Sequence, residues 1–168
     1  MILLAIAGAA RSGKDTLAKT LQTFVPNTVT LAFAHAVKEE ADQICKKKFG
    51  LSAFTVDPAE KKIVRPVLIE IGHGYRQKDP MVWINRLAAK IDATLPTKNI
   101  IITDCRYKNE AEMVHSKGGL VVFVKRDTQD TIPTEQESLP HIKWDIMIDF
   151  KSADTISLMK KLYPGWTP

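Results

Sequence analysis

The sequence predicts an α/β fold in which a five-stranded parallel sheet carries helices on both faces. Three observations predict it. Short apolar runs without polar alternation recur along the chain, as strands covered on both sides require. Stretches with apolar residues at helical spacing separate those runs. Residues capable of chemistry collect where the runs end, at Gly8–Thr16, Phe33–His35, Asp104–Arg106 and Lys125–Arg126. Parallel sheets hold their ligands at such ends.

The elements follow in order. Ile2 to Ala7 is a first buried strand, and Lys14 to Phe24 a helix with Leu17, Leu21 and Phe24 on one face. Thr28 to Phe33 is a second strand. His35 to Lys48 is helical and ends near Gly50. Its closing run Cys45-Lys-Lys-Lys-Phe49 reads as a solvated helix end rather than a nucleic-acid patch. Leu51 to Glu60 is polar and loop-like. Ile63 to Ile71 has helical period around Pro66, which either starts that helix or kinks it. Asp79-Pro80 is an N-cap with proline at the first helical position, and the helix runs to about Ala93. Its core stripe is Ile84, Leu87, Ala88 and Ile91. Asn99 to Thr103 is a third strand, ending at Asp104. Asn109 to Lys117 is a helix closed by Gly118-Gly119. Leu120 to Val124 and Asp145 to Phe150 are the remaining strands, and Ala153 to Leu162 is a closing helix.

The 168 residues, 45% hydrophobic and 26% charged, suit one compact domain with a real core. No apolar run approaches the ~20 residues of a membrane span. The apolar start lacks a basic flank, so a signal peptide is not expected. Cys45 and Cys105 have no metal-ligand spacing, and a reducing cytoplasm fits them best. The formal charge of +5 suits small anionic substrates as well as nucleic acid. No interleaved aromatic pattern supports nucleic acid as a partner.

The first strand runs into Gly8-Ala-Ala-Arg-Ser-Gly-Lys-Asp-Thr16. This is nearly G-x-x-x-x-G-K-[ST], a phosphate-binding loop, with strand before and helix after as that loop requires. Backbone N–H groups from Gly8 through Arg11, Ser12 and Gly13 to Thr16 are expected to cradle phosphate. The helix that follows aims its positive end at the same place. Lys14 reaches the β- and γ-phosphates of ATP. The pattern makes the fold a three-layer P-loop NTPase. Its hydroxyl position holds Asp15, and Thr16 follows one residue late, about 100° further round the helix. A carboxylate beside a triphosphate is repelled unless it faces Mg²⁺ or an arginine. Asp15 is therefore expected to hold Mg²⁺ or position the acceptor, and Thr16 to contact phosphate.

The strand Asn99-Ile-Ile-Ile-Thr-Asp104 presents a second carboxylate of the kind that meets Mg²⁺ near a phosphate loop. Arg106 projects to the same side of an extended chain. Glu110 reads either as a helix-dipole acid or as an orienter of Arg106. Trp83, off the core stripe, reads either as a base-stacking side chain or as half-buried packing. Arg65 and Arg76 are candidates for bidentate contact with a monophosphate, and His35 for lining an acceptor pocket. His115 and His141 read as surface or capping residues. No His/Asp/Ser arrangement suggests hydrolysis.

Together, G-A-A-R-S-G-K-D-T and D-C-R-Y-K-N-E-A-E resemble the paired motifs of the bacteriophage deoxynucleoside monophosphate kinases. Gly118-Gly119 and Val124-Lys125-Arg126 match the sequel of that pattern. The resemblance implies transfer of the ATP γ-phosphoryl group to a deoxynucleoside monophosphate with Mg²⁺, in a host cytoplasm. It implies catalytic or metal roles for Lys14, Asp15, Thr16, Asp104, Arg106 and Glu110, and a homodimer at family level. It implies substrate-binding helices over about 36–93, carrying Lys62, Arg65, Leu68 and Ile71-Gly72. Arg65, Ile69 and Gly72/His73 share a helical face there, with Phe33 and His35 nearby in the same role. The polar stretch 127–140 is a lid with Arg126 at its base. Family members often carry Gln where Ile69 stands and Thr where His73 stands, so the resemblance implies the phosphoryl transfer but no base specificity. The alternatives are another phosphate-bearing acceptor such as phosphomevalonate, or a nucleotide-binding module without turnover. A GTPase-like switch lacks its Asn-Lys-x-Asp here.

Overall fold

The computed structural model describes residues 1–9, 11–125 and 139–149. Arg126, nearly all of the expected lid and the expected closing helix lie outside the described residues. The chain forms two compact units. One comprises Met1–Leu31 with the described residues from Ile91 onward, and the other Ala32–Lys90.

The first unit is built on β1 (Leu3–Ala7), β2 (Thr28–Leu31), β3 (Asn99–Cys105), β4 (Leu120–Lys125) and β5 (Ile146–Asp149). Every pairing is parallel and the order is β2-β3-β1-β4-β5, as the buried apolar runs predict. β1 lies at the centre, and all five of its residues are buried. Its alternate side chains face different helices. Leu4 and Ile6 join Ile101, Val122 and Val124 in one core cluster with Leu17, Ala18 and Leu21 of α1 (Lys14–Phe24). Leu3 packs the other way, toward Val114 of α5 (Lys108–Ser116). A Cβ at Gly119 would lie 2.7 Å from Val114 Cγ1 and 2.8 Å from Leu3 Cγ, so this glycine sets how closely α5 approaches the sheet. Each large aliphatic side chain buried here contributes about 1.5–3 kcal/mol.

Asp145 ties the chain entering β5 to this sheet. Its Oδ2 accepts from Val121 N at 2.7 Å and lies 2.9 Å from His115 Nε2. Its own N–H donates to Val121 O at 2.9 Å. His115 is thus the partner of a β5 anchor, rather than the surface or capping residue expected.

The second unit holds α2 (Phe33–Phe49), α3 (Pro58–Lys78) and the first part of α4 (Val82–Thr94). Ala41, Cys45, Ala53, Val64 and Val67 form its core. β2 stops before the expected Phe33, because Ala32 is already the extended N-cap of α2. α2 closes at Gly50 in the left-handed region, with Lys46, Lys47 and Lys48 in its last turn, so the basic run is a helix end. α3 is far longer than the expected 63–71. Asp57 caps it, accepting from Ala59 N at 2.8 Å and Glu60 N at 3.0 Å, and Pro58 takes the first helical position. Pro66 neither starts nor ends α3 but lies inside it, where the helix forgoes one backbone bond. The helix expected from Pro80 starts later: residues 79–82 form a turn closed by Val82 N on Asp79 O at 3.1 Å, and α4 begins at Val82. Asp79 bonds on both sides of that turn. Its N–H closes α3 on Tyr75 O at 2.9 Å, and its carboxylate accepts from Met81 N at 2.8 Å. Among the described residues no helix is long and apolar enough to cross a membrane.

Candidate active site

The site is assembled in the first unit at the carboxyl ends of β1 and β3, which are neighbours in the sheet. After β1 the chain turns at Gly8, whose φ is 140°. A Cβ there would lie 2.5 Å from Val124 O and 2.9 Å from Ser12 Oγ, so no other residue fits without displacing backbone. Arg11 has φ 59° and Gly13 φ 102°. Such left-handed residues turn successive N–H groups toward one concave side. Gly13 is the N-cap of α1 and supplies no side-chain bond to it. The first-turn N–H groups therefore remain available to an anion, as helix geometry dictates.

Lys14 folds back over the loop. Its Nζ donates to Gly8 O at 2.9 Å and Ala9 O at 2.5 Å, and the residue is only 8% exposed. Its pKa falls from 10.5 to about 8. Burial is the largest cause, and the Arg106 guanidinium adds to it, while the Asp15 and Asp104 carboxylates act in the opposite direction. Asp15, Asp104 and Arg106 therefore each lie within electrostatic reach of Lys14. Ser12 Oγ is buried and has no hydrogen-bond partner among the described residues. A buried hydroxyl without a partner is costly. In this loop the fitting partner is a phosphate oxygen.

The register of β3 is irregular beside Asp104. Ala5 pairs with Ile102, but Ala7 pairs with Cys105, so β3 carries an extra residue opposite β1. Bulges of this kind redirect side chains at the rims of sheets. Glu110, 3% exposed, accepts from Arg106 N at 2.7 Å and Tyr107 N at 3.1 Å. Both readings of Glu110 hold: it is the acid in the first turn of α5, and its carboxylate caps that turn at Tyr107 N while fixing the backbone that carries Arg106.

Asp15 and Thr16 are exposed on the first turn of α1, and Asp104 is half-buried. Two carboxylates and a hydroxyl are hard oxygen donors of the kind Mg²⁺ uses together with phosphate oxygens and water. Among the described residues no cluster of three or more His, Cys, Asp or Glu forms a self-sufficient metal cage.

Residues 6–119 match the family model described as phosphomevalonate kinase. The chain belongs to the phosphomevalonate kinase family. Phosphoryl transfer is therefore the chemistry of this site. No curated protein sequence matches the chain. Solved structures similar to this family member include a gluconokinase from Sinorhizobium meliloti 1021, at 13% identity and TM-score 0.44, covering 98% of this chain and 90% of that one. The Deinococcus radiodurans tunicamycin resistance protein is similar at 17% identity and TM-score 0.48, covering 99% and 98%. Shikimate kinase from Aquifex aeolicus vf5 is similar at 14% identity and TM-score 0.40, covering 95% and 92%.

In this phosphomevalonate kinase-family chain the expected acceptor residues belong to the second unit, and they separate into two groups. Arg65, Ile69 and His73 recur at four-residue spacing along α3 and are all exposed, Ile69 at 54%. Gly72 does not share that face. It is buried beside Val37 of α2, and its carbonyl accepts from Trp83 Nε1 at 3.0 Å. Trp83 corrects the base-stacking expectation: it is 1% exposed, with its ring 5.3 Å from Tyr75 and Arg86 at 5.2 Å. Both are packing residues because α4 lays its indole onto α3. Phe33 is likewise buried, at the start of α2. His35 is half-exposed and pairs with Glu39 at 3.2 Å. Arg76 is half-buried.

Proposed function

We propose that this chain transfers the γ-phosphoryl group of ATP to the phosphate of a deoxynucleoside monophosphate, giving the diphosphate and ADP. The observation that carries phosphoryl transfer is the loop itself, with Gly8 pressed on Val124 O, Lys14 Nζ folded onto Gly8 O and Ala9 O, and Ser12 Oγ buried without a partner among the described residues. An acceptor phosphate oxygen attacks the γ-phosphorus in line, and the bond to the β–γ bridging oxygen breaks. Loop N–H groups, Ser12 Oγ and Lys14 take the donor's charge. Arg106 supports the migrating phosphoryl group. Asp15, Thr16 and Asp104 would hold Mg²⁺, which would supply charge neutralisation at the donor's phosphates. No covalent enzyme intermediate is needed.

The nucleotide acceptor is supported by the paired motifs at 8–16 and 104–110, and by the exposed Arg65 face of α3. Neither nucleic acid nor a membrane is part of this reading, and the active form is read as a homodimer. A second reading has phosphomevalonate as acceptor, and the family match favours it. A coupled ADP-release assay with ATP, Mg²⁺ and each monophosphate in turn separates the two. At least one deoxynucleoside monophosphate is expected to stimulate ADP release above the ATP-only rate. Stimulation by phosphomevalonate alone would establish the second reading instead.

A further inference from the structure

The chain that enters β5 is first laid along α5. Leu139 and Ile142 are buried on either side of a short 3-10 turn, Leu139–His141, and Ile142 N donates to Leu139 O at 3.2 Å. Further on, Asp145 accepts from Val121 N and lies 2.9 Å from His115 in the last turn of α5. His141 is thereby held beside the first turns of the same helix. There a cleft of about 360 Å³ is lined by Tyr107, Lys108, Asn109, Glu112 and His141. That is room enough for a small organic ligand. The opposite wall is also fixed from behind, since Tyr107 N donates to Glu110 Oε2 at 3.1 Å. Every lining residue belongs to the first unit.

The lining suits a planar heterocycle. Tyr107 and His141 offer two flat rings, and Asn109 an amide with donor and acceptor side by side. Lys108 already pairs with Glu112 at 3.7 Å, so its charge is offset within the cleft. Aromatic rings stack on any base, because each base has a π-face. An amide matches the mixed donors and acceptors of a base edge. An aliphatic phosphorylated acid offers neither face nor edge. The cleft begins one residue from Arg106, which lies within electrostatic reach of Lys14. A mononucleotide whose phosphate meets Arg106 carries its base one sugar away.

We propose that this cleft takes the base of the acceptor nucleotide, with Tyr107 and His141 as the rings on which it stacks and Asn109 as the residue that reads its edge. This rests on the nucleotide reading above and deepens it, assigning base recognition to residues of the first unit alone. Steady-state kinetics with each deoxynucleoside monophosphate varied at saturating ATP provide the test. Tyr107→Leu is expected to raise the KM for the preferred monophosphate roughly tenfold, and Tyr107→Phe to leave it near the parent value, with the KM for ATP unchanged in both. His141→Ala, at an exposed position, is expected to raise the same KM severalfold. Asn109→Asp removes the donor side of the amide and is expected to change the ranking of the monophosphates, whereas a merely structural role would raise every KM alike. Proton NMR reads the contact directly. Of the four histidine ring signals, the one missing from His141→Ala is expected to shift when a deoxynucleoside monophosphate is added without ATP, and to stay in place with inorganic phosphate. Unchanged KM values in Tyr107→Leu and His141→Ala, an unchanged ranking in Asn109→Asp, or a His141 signal that does not move would overturn the cleft as the base site while nucleotide turnover stands. Turnover with phosphomevalonate and with no nucleotide would overturn both.

Discussion

At the scale of single residues, Lys14 carries a charge that the free loop disfavours. Its folded pKa of about 8 lies below the unfolded 10.5. Below pH 8 both states are protonated, and the folded state bears the full cost of the buried cation, about 3 kcal/mol. Between pH 8 and 10.5 the unfolded chain binds more protons, so stability rises with pH. Urea denaturation without nucleotide or Mg²⁺ is expected to show this rise in the parent protein and to lose it in Lys14→Met. ATP restores the charge's partners, so calorimetry at pH 8.5 in buffers of different ionisation enthalpy is expected to reveal proton uptake on binding. Asp15 makes a second expectation. Asp15→Asn should lower kcat about 10- to 100-fold and weaken its dependence on Mg²⁺; an unchanged Mg²⁺ titration would remove Asp15 from the metal's shell. These residues were legible because a phosphate loop is local: strand, turn, lysine and helix lie within a few positions. Trp83 and Gly72 were not. A helical wheel groups α3's residues by angle, but which angle meets α4 depends on contacts eleven residues apart.

At the scale of elements, the site depends on backbone held from behind. Gly8→Ala forces a Cβ against Val124 O and Ser12 Oγ at a left-handed φ. It is expected to cost about 1–3 kcal/mol of stability and much of the affinity for ATP, read by thermal denaturation and nucleotide titration. Glu110→Gln preserves shape but weakens two charge-assisted bonds to the backbone around Arg106. It should lower kcat while leaving the KM for ATP near its parent value. A larger fall in ATP affinity than in kcat would remove the positioning role. Asp145 sets an acid limit. Burial opposes its charge, but the Val121 N–H and then His115 hold its pKa below 3.8. Its stabilising effect is present above that value and is lost as pH falls through the folded pKa. Acid titration of Asp145→Asn should show this step removed. The strands and α1 were legible from apolar runs alone. The start of α3 was also written in the sequence, since Asp57-Pro58 has the cap-and-proline form recognised at Asp79-Pro80. The helical spacing of Ile63 to Ile71 marks only the middle of that helix.

At the scale of the whole molecule, the formal charge of +5 favours the approach of polyanionic ATP. Raising monovalent salt from 50 to 500 mM at fixed free Mg²⁺ is expected to increase the KM for ATP severalfold, with kcat less affected because Lys14 is buried and poorly screened. A flat KM would show that affinity resides in the loop's geometry alone. The pairing register has a different consequence, for how the molecule comes into being. Leu3 meets Ile100 on one side, and Leu4 meets Leu120 on the other. During synthesis the central strand therefore has no neighbour until the chain has grown past residue 100, on the order of 5–20 s at about 5–20 residues per second. The contiguous second unit, Ala32–Lys90, has by then been made whole. The most apolar strand, first off the ribosome, waits longest for its place. Nascent chains arrested before β3 should expose it to chaperones, and those arrested after β4 should not.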